Sequence, residues 1–136
     1  MSKSGQRGYS MGYVYNDVDK LENKPRKGND QCVTLIKVVI PELSRRTTST
    51  WHQGEQVLDN TNIAKGTAIA TFDEQGVYPN RPSGNHAALY LGQNASGTLI
   101  MEQWTKELKI HKKRVRVNLD ERVPMTRRAA TYYVIE

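Results

Sequence analysis

Two apolar segments separated by a short turn restrict the possible folds of this chain more than any other feature. HAALYLGQ (86–93) and TLIMEQW (98–104) have the composition of β-strands, and NASG (94–97) between them has the residues of a tight turn. GTAIATF (66–72) predicts a further strand, and the loop at 73–85, with two glycines and two prolines, joins it to the hairpin. The pattern therefore predicts an antiparallel sheet built around this hairpin.

The segment before the sheet has helical spacing and contains the only cysteine of the chain. Asp30 is a favourable N-cap residue, so we expect a helix to begin at Gln31. The apolar positions that recur at helical spacing are Cys32, Leu35, Ile36, Val39 and Ile40. Strands are also predicted at 114–117 and 130–135. The predicted fold class is α+β, with an N-terminal helix that carries the cysteine packed on an antiparallel β-sheet.

The length and composition predict a single folded domain with a basic surface. We interpret residues 1–27 as a loosely ordered arm and 28–136 as one domain, in which the polar segment 44–62 is irregular. The net charge of +6 and the pI of about 9.5 favour anionic partners. No apolar run approaches the ~20 residues of a transmembrane helix, and the N-terminus lacks a signal-peptide pattern. A single cysteine excludes an internal disulfide.

Cys32, His86 and Glu102 follow one another in an order that suits a cysteine nucleophile. The N–H groups at a helix N-terminus lower the pKa of a thiol and can stabilise an oxyanion. A histidine at a strand start can take the thiol proton and pass it to the leaving group, while a third polar group holds its other ring nitrogen. We therefore interpret Cys32 as the nucleophile, His86 as the general base and Glu102 as the orienting group.

Strand alternation determines which residue orients the histidine. In the first hairpin strand, the residues at 87, 89 and 91 form the larger apolar set and are expected to face the core, so His86 lies on the opposite face. In the second strand, Leu99 and Met101 are expected to face the core, so Glu102 shares the face of His86. Gln103 is the alternative third member, because a register shift of one residue reverses the choice.

Other interpretations of these residues carry weight. A lone cysteine in an apolar run is most often a buried core residue, and a lone histidine at a strand start is usually structural. His52 and His111 are also available, each in a polar stretch with no hairpin behind it. One cysteine and three scattered histidines do not have the spacing of metal ligands, so no metal or cofactor is predicted.

DQCVTLIK, GNHAALYLG and LIMEQW together resemble the papain-like NlpC/P60 and CHAP peptidoglycan hydrolases. Those families place a cysteine at a helix start, a histidine on a following strand, and a Glu, Asn or His at the end of the next strand. The stretch GTAIATFDEQGVYPNRPSGNHAA is more narrowly similar to the amidase effectors of bacterial type VI secretion systems, family 3 in particular. The related domains often have Glu-x-Asn before the Trp. The shorter run here, MEQW (101–104), keeps both candidates for the third member open.

The resemblance implies a cysteine peptidase that hydrolyses amide bonds of peptidoglycan stem peptides and acts as an antibacterial toxin. The likeness to family 3 implies cleavage of the crosslink between meso-diaminopimelate and D-alanine, with the D-glutamyl–diaminopimelate bond as the alternative. It also implies synthesis in the cytoplasm without a signal peptide, export by the type VI apparatus, action in the target-cell periplasm and a cognate immunity protein. The residues expected to contact the substrate are Gln31, Trp51, Tyr78, Asn80, Arg81 and Trp104.

Two other functions compete with this one. A nucleic-acid-binding module with a structural cysteine is favoured by the basic runs at 24–27 and 111–116. However, the basic residues are not interleaved with aromatic residues, and no RRM, KH or helix-turn-helix signature is present, so no nucleic-acid partner is expected. A related hydrolase that acts on protein, such as a deamidase or an isopeptidase, keeps Cys32 and His86 essential but leaves peptidoglycan intact.

Overall fold

The computed structural model describes residues 12–29, 31–79, 81 and 84–136, which form a six-stranded antiparallel sheet with short helices. The α-helices are α1 (Cys32–Val39) and α2 (Pro41–Ser44), and 3-10 helices span Val18–Leu21, Thr48–Thr50, Met125–Arg127 and Ala129–Thr131. The strands are β1 (Gln53–Gln56), β2 (Ala68–Thr71), β3 (Ala87–Asn94), β4 (Gly97–Glu102), β5 (His111–Arg116) and β6 (Tyr132–Ile135). Their order across the sheet is β1-β6-β2-β3-β4-β5. The predicted α+β class and antiparallel sheet are confirmed.

Helix α1 begins one residue later than the sequence predicts. Gln31 is the N-cap, with the extended backbone (φ −84°, ψ 157°) of that position, while the predicted cap Asp30 lies outside the described residues. The helix ends at Val39 because Pro41 disfavours helical geometry in the residue before it, and Ile40 is extended (φ −123°, ψ 93°). The start of α1 thus falls at the nucleophile candidate, Cys32.

Both faces of the sheet are buried, whereas the sequence predicts one core face. Helix α1 packs on the first face, where the buried residues include Leu35, Ile36, Ala87, Leu89 and Met101. The second face forms its own cluster, which includes Ala88, Tyr90, Ile100, Val115 and Tyr132. Successive residues of β3 are apolar on both sides, so each face requires a cover. His86 and Glu102 lie at the ends of strands that are buried on both faces.

The hairpin register agrees with the predicted alternation at the end near His86 and Glu102. Leu89 lies opposite Met101 and Tyr90 opposite Ile100, which puts Glu102 on the face opposite to Met101, as predicted. The pairing shifts by one residue between Tyr90 and Gly92. Leu99 lies beyond this shift and is half-buried rather than part of the core.

The edge strands differ most from the predictions. Strand β1 lies in the segment predicted as irregular, because its sequence, QGEQ, is polar and carries no strand pattern. It pairs with β6 through backbone groups, which need no apolar side chain. Strand β5 begins at His111, three residues before the predicted start, and its lysines and arginines suit an exposed edge strand.

Residues 12–27 of the predicted arm pack against the rest of the domain. Val14 pairs with Thr67, just before β2, and Pro25 lies in a bridge to Lys109, just before β5. Between them, Val18 and Leu21 are buried, because their spacing of three residues puts both on one side of a helical turn. Residues 1–11 lie outside the described residues. Within the part of the chain that is described, no helix has the length and apolar character to cross a membrane.

Candidate active site

Cys32 lies at the first turn of α1, where three hydrogen-bonding groups surround its sulfur. These groups are the His86 side chain, the backbone N–H of Ala87 and the hydroxyl of Tyr78. Burial raises the pKa of the Cys32 thiol, but the hydrogen bonds and the charge of His86 more than offset this, and the pKa is lowered overall. A lowered thiol pKa is the property that a cysteine nucleophile needs near neutral pH.

Tyr78 is buried rather than exposed in the loop that delivers the histidine. Burial and the neighbouring Cys32 thiolate raise the pKa of Tyr78, so its hydroxyl keeps the proton that it donates to the sulfur. The side-chain amide of Asn85 donates to the Tyr78 oxygen at 3.0 Å and so fixes the hydroxyl in place. Tyr78 therefore interacts with Cys32, beyond the substrate contact predicted for it.

His86 is anchored through its backbone and oriented through its side chain. Its N–H donates to Thr71 Oγ1 at 3.0 Å, and its carbonyl accepts the Thr71 N–H at 3.0 Å, which ties it to β2. Its Nε2 lies 2.6 Å from Glu102 Oε1. Burial lowers the pKa of His86, but hydrogen bonds to Cys32 and Glu102 and their negative charges raise it to about 9. The three predicted residues thus form a connected chain of contacts.

Glu102 lies between two histidines, one of which the sequence does not predict for the site. Its Oε2 is 2.7 Å from His111 Nε2, and the β4–β5 register places the two residues directly opposite each other. The other ring nitrogen of His111, Nδ1, lies 3.2 Å from the Lys109 carbonyl. Burial raises the pKa of Glu102, but the hydrogen bond and charge of His86, with Lys113 and His111, lower it overall. The register of β5 against the hairpin is the signal that identifies His111.

Gln103 makes a different set of contacts from those predicted for a third catalytic residue. Its buried side-chain amide donates to the carbonyls of Lys27 (2.9 Å) and Gln31 (2.7 Å), and its oxygen accepts the Lys27 N–H (2.7 Å). These bonds hold the backbone immediately before Cys32. The geometry therefore favours Glu102 as the partner of His86 and makes Gln103 a brace for the start of α1.

A cleft of about 930 Å³ opens over these residues. It is lined by four of the predicted substrate-contact residues, Gln31, Tyr78, Arg81 and Trp104, and also by Lys37, Lys113 and Arg127, which the sequence analysis did not select. Asn80 lies outside the described residues. Trp51 does not line the cleft, contrary to the prediction: it is 3% exposed, and its ring packs 5.0 Å from that of Tyr78. Its size and apolar surface place it in the core beneath the site.

Comparison with known proteins gives the family. A family model described as "Dae2: Domesticated amidase effector 2" matches residues 12–135. The chain belongs to this family. It is 38% identical over 138 residues to the "Type VI secretion amidase effector 2 protein" of Salmonella typhi, covering 93% of this chain and all of that one. The solved structure of a "Type 6 secretion amidase effector 2 (Tae2)" superposes with a TM-score of 0.81 at 37% identity, covering 91% of this chain and 94% of that one.

These findings confirm the resemblance to type VI secretion amidase effectors and correct its narrower form. The relatives of this family member are named effector 2, so the assignment to family 3 is wrong. That assignment depended on the stretch at 66–88, which includes His86 but neither Cys32 nor Glu102.

Proposed function

We propose that this domesticated amidase effector 2 family member is a cysteine amidase that hydrolyses amide bonds in the stem peptides of peptidoglycan. The observation that carries the proposal is the connected arrangement of Cys32, His86 and Glu102 at the base of an open cleft. The amidase names of the similar proteins agree with it. On this proposal the fold is a papain-like variant of the NlpC/P60 and CHAP type, with the cysteine on a helix and the histidine on the sheet.

Acylation begins from the thiolate of Cys32 and the protonated ring of His86. The sulfur attacks the carbonyl carbon of the scissile amide, and the carbonyl oxygen becomes an oxyanion. The backbone N–H at the start of α1 stabilises this oxyanion. The N-cap residue Gln31 makes no side-chain hydrogen bond that would compete with the oxyanion there. His86 then donates its proton to the amide nitrogen, the C–N bond breaks, and the amine leaves behind a thioester on Cys32.

Deacylation reverses the roles of the same groups. Neutral His86 removes a proton from a water molecule, whose oxygen attacks the thioester carbon. The C–S bond breaks, the acid product leaves, and the sulfur and the ring return to the thiolate and the imidazolium. Glu102 keeps one ring nitrogen of His86 engaged throughout, which leaves the other free to face the sulfur.

The bond that we propose is the crosslink between meso-diaminopimelate and D-alanine. Both candidate bonds lie in branched, carboxylate-bearing peptides, so hydrolysis of either needs a cleft that accepts charged chains. The cleft is open and basic. Its lining residues include the cations Lys37, Arg81, Lys113 and Arg127, and among the described lining residues only Glu102 is acidic. The D-glutamyl–diaminopimelate bond is the alternative, and the products of digestion distinguish the two.

The biological role that we propose is that of an antibacterial toxin. In this role the chain is made in the cytoplasm, is exported by the type VI apparatus and acts in the periplasm of a target cell. A producing cell then requires an immunity protein that covers the cleft. Co-purification with the product of a neighbouring gene tests that partner, and activity that is indifferent to every such product contradicts it.

The first experiment digests purified diaminopimelate-type peptidoglycan with the wild type and with Cys32→Ala, and separates the muropeptides by mass. We expect wild-type digestion to convert crosslinked dimers into intact tetrapeptides, and Cys32→Ala to lose at least about 1000-fold in rate. Circular dichroism of both proteins is the control for folding. Stems that lose diaminopimelate indicate the alternative bond. An unchanged profile with the wild type, or undiminished activity in Cys32→Ala, contradicts the proposal.

A further inference from the structure

The cleft continues beyond the catalytic residues along β5 and the 3-10 helix Met125–Arg127. Lys113, Val115, Thr126 and Arg127 line the main cleft and also line an adjoining cavity of about 310 Å³. We call these four residues the basic branch. Because the two cavities share these four residues, the basic branch is a second direction in which a chain bound at Cys32 can extend.

Lys113 lines the cleft from β5. The β4–β5 register puts it opposite Ile100, two residues from the pair of Glu102 and His111, so it shares their face. Its charge reaches the site, since it is one of the groups that lower the pKa of Glu102. The neighbouring Lys112 points to the other face and forms an ion pair with Glu22 at 3.4 Å.

Arg127 is carried by a turn that is fixed to the core. The buried Tyr132 donates from its hydroxyl to the Thr126 carbonyl at 2.8 Å, and Thr131 Oγ1 donates to the Met125 carbonyl at 2.6 Å. The backbone beneath Arg127 is therefore well anchored, while its side chain is exposed. Among the residues that the structure describes, no carboxylate pairs with Lys113 or Arg127.

We infer that the basic branch binds a carboxylate of the substrate, through Lys113 and Arg127, at a position separate from the contact predicted for Arg81. This inference rests on the proposed function and adds to it a determinant of substrate choice. A guanidinium on an anchored turn and an ammonium on a strand supply charge-assisted hydrogen bonds to a carboxylate. Stem peptides carry several carboxylates. A cleft with one cationic position at Arg81 and a second in the basic branch therefore selects for a branched chain that reaches both.

The test compares a crosslinked muropeptide dimer with derivatives in which each carboxylate in turn is converted to a carboxamide. We expect one derivative to lose about tenfold in kcat/KM with the wild type, because a neutral amide cannot form the ionic contact. Lys113→Gln and Arg127→Gln should each reduce that difference to within about twofold. Lys112→Gln is the matched control, since it removes the same charge from the opposite face of β5, and it should keep the full difference.

The outcomes separate this inference from the proposed function. Equal kcat/KM values for all derivatives with the wild type overturn the inference and leave the amidase intact. A Lys113→Gln variant that slows every derivative equally also overturns it, because the lysine then acts through Glu102 and not on the substrate. If the wild type cleaves no dimer at all, the proposed function fails and the inference fails with it.

Discussion

The two ends of the cleft differ in how their polar groups are held. At the catalytic end, the side chains of His86 and Glu102 are 12% and 4% exposed and are joined by a 2.6 Å contact. In the basic branch, Lys113 and Arg127 are exposed and have no ion-pair partner among the described residues. Proton transfer needs groups that are desolvated and fixed before the substrate arrives. Recognition of a mobile polymer needs charges that remain hydrated until it binds.

This difference predicts large effects of substitution at the catalytic end. Glu102→Gln removes the carboxylate that His86 and His111 share, and we expect kcat to fall about 100-fold or more. The pH profile of kcat/KM, which reports the pKa values of the free enzyme, should also change. Because the pKa of His86 is raised to about 9, we expect wild-type activity to fall as the pH rises above about 9. Glu102 is one of the groups that raise the pKa of His86, so in the variant this alkaline limit should move to lower pH.

Steady-state kinetics across the pH range measure this effect, and Glu121→Gln, an exposed carboxylate, is the control. Thermal unfolding verifies that the variant is folded. An unchanged alkaline limit in Glu102→Gln would mean that the carboxylate does not hold the histidine. The catalytic end of the cleft would then lack the fixed pair of side chains that distinguishes it from the basic branch.

Gln103 holds the backbone before Cys32 in place, as Glu102 holds the side chain of His86. Gln103→Glu replaces two donors by a carboxylate that faces the carbonyls of Lys27 and Gln31. We expect a loss of about 2–3 kcal/mol in the free energy of unfolding, because a buried polar group loses its partners. Denaturant titration measures the loss, and alkylation of Cys32 by iodoacetamide reports whether the start of α1 has shifted.

The control for this variant is Gln75→Glu, which makes the same change at an exposed position. Gln103→Leu keeps the volume without adding a charge and should fall between the wild type and Gln103→Glu. If both Gln103 variants keep the wild-type stability and alkylation rate, the amide does not brace the helix start.

His111 should give the smallest effect, because it acts on the substrate only through Glu102. It does not line the cleft, and its contact is with Glu102 Oε2. We expect His111→Ala to lower kcat about tenfold with KM unchanged. His111→Gln places an N–H donor near the position of Nε2 and should recover most of that loss. A purely structural role would lower stability in both variants and would show no recovery of kcat in His111→Gln.

Much of the catalytic layout could be predicted from local patterns. The apolar run after residue 30 predicts α1 to within one residue of its start, and Pro41 accounts for its end. Alternation along the hairpin puts His86 and Glu102 on one face, because neighbouring side chains of a strand point to opposite sides. The polar edge strand β1 was missed for the same reason: its pairing with β6 depends on backbone groups that leave no side-chain pattern.

By itself, the sequence determined the helix that presents Cys32, the hairpin that carries His86 and Glu102, and the order in which they occur. Only the tertiary structure decided what surrounds them. Gln103 braces residues that are 76 and 72 positions away in the chain, and His111 meets Glu102 through the register of a separate strand. Lys113 and Arg127 share the basic branch because β5 and the turn at Arg127 fold together. Helix and strand periodicities extend over a few residues, whereas these contacts depend on the packing of distant elements.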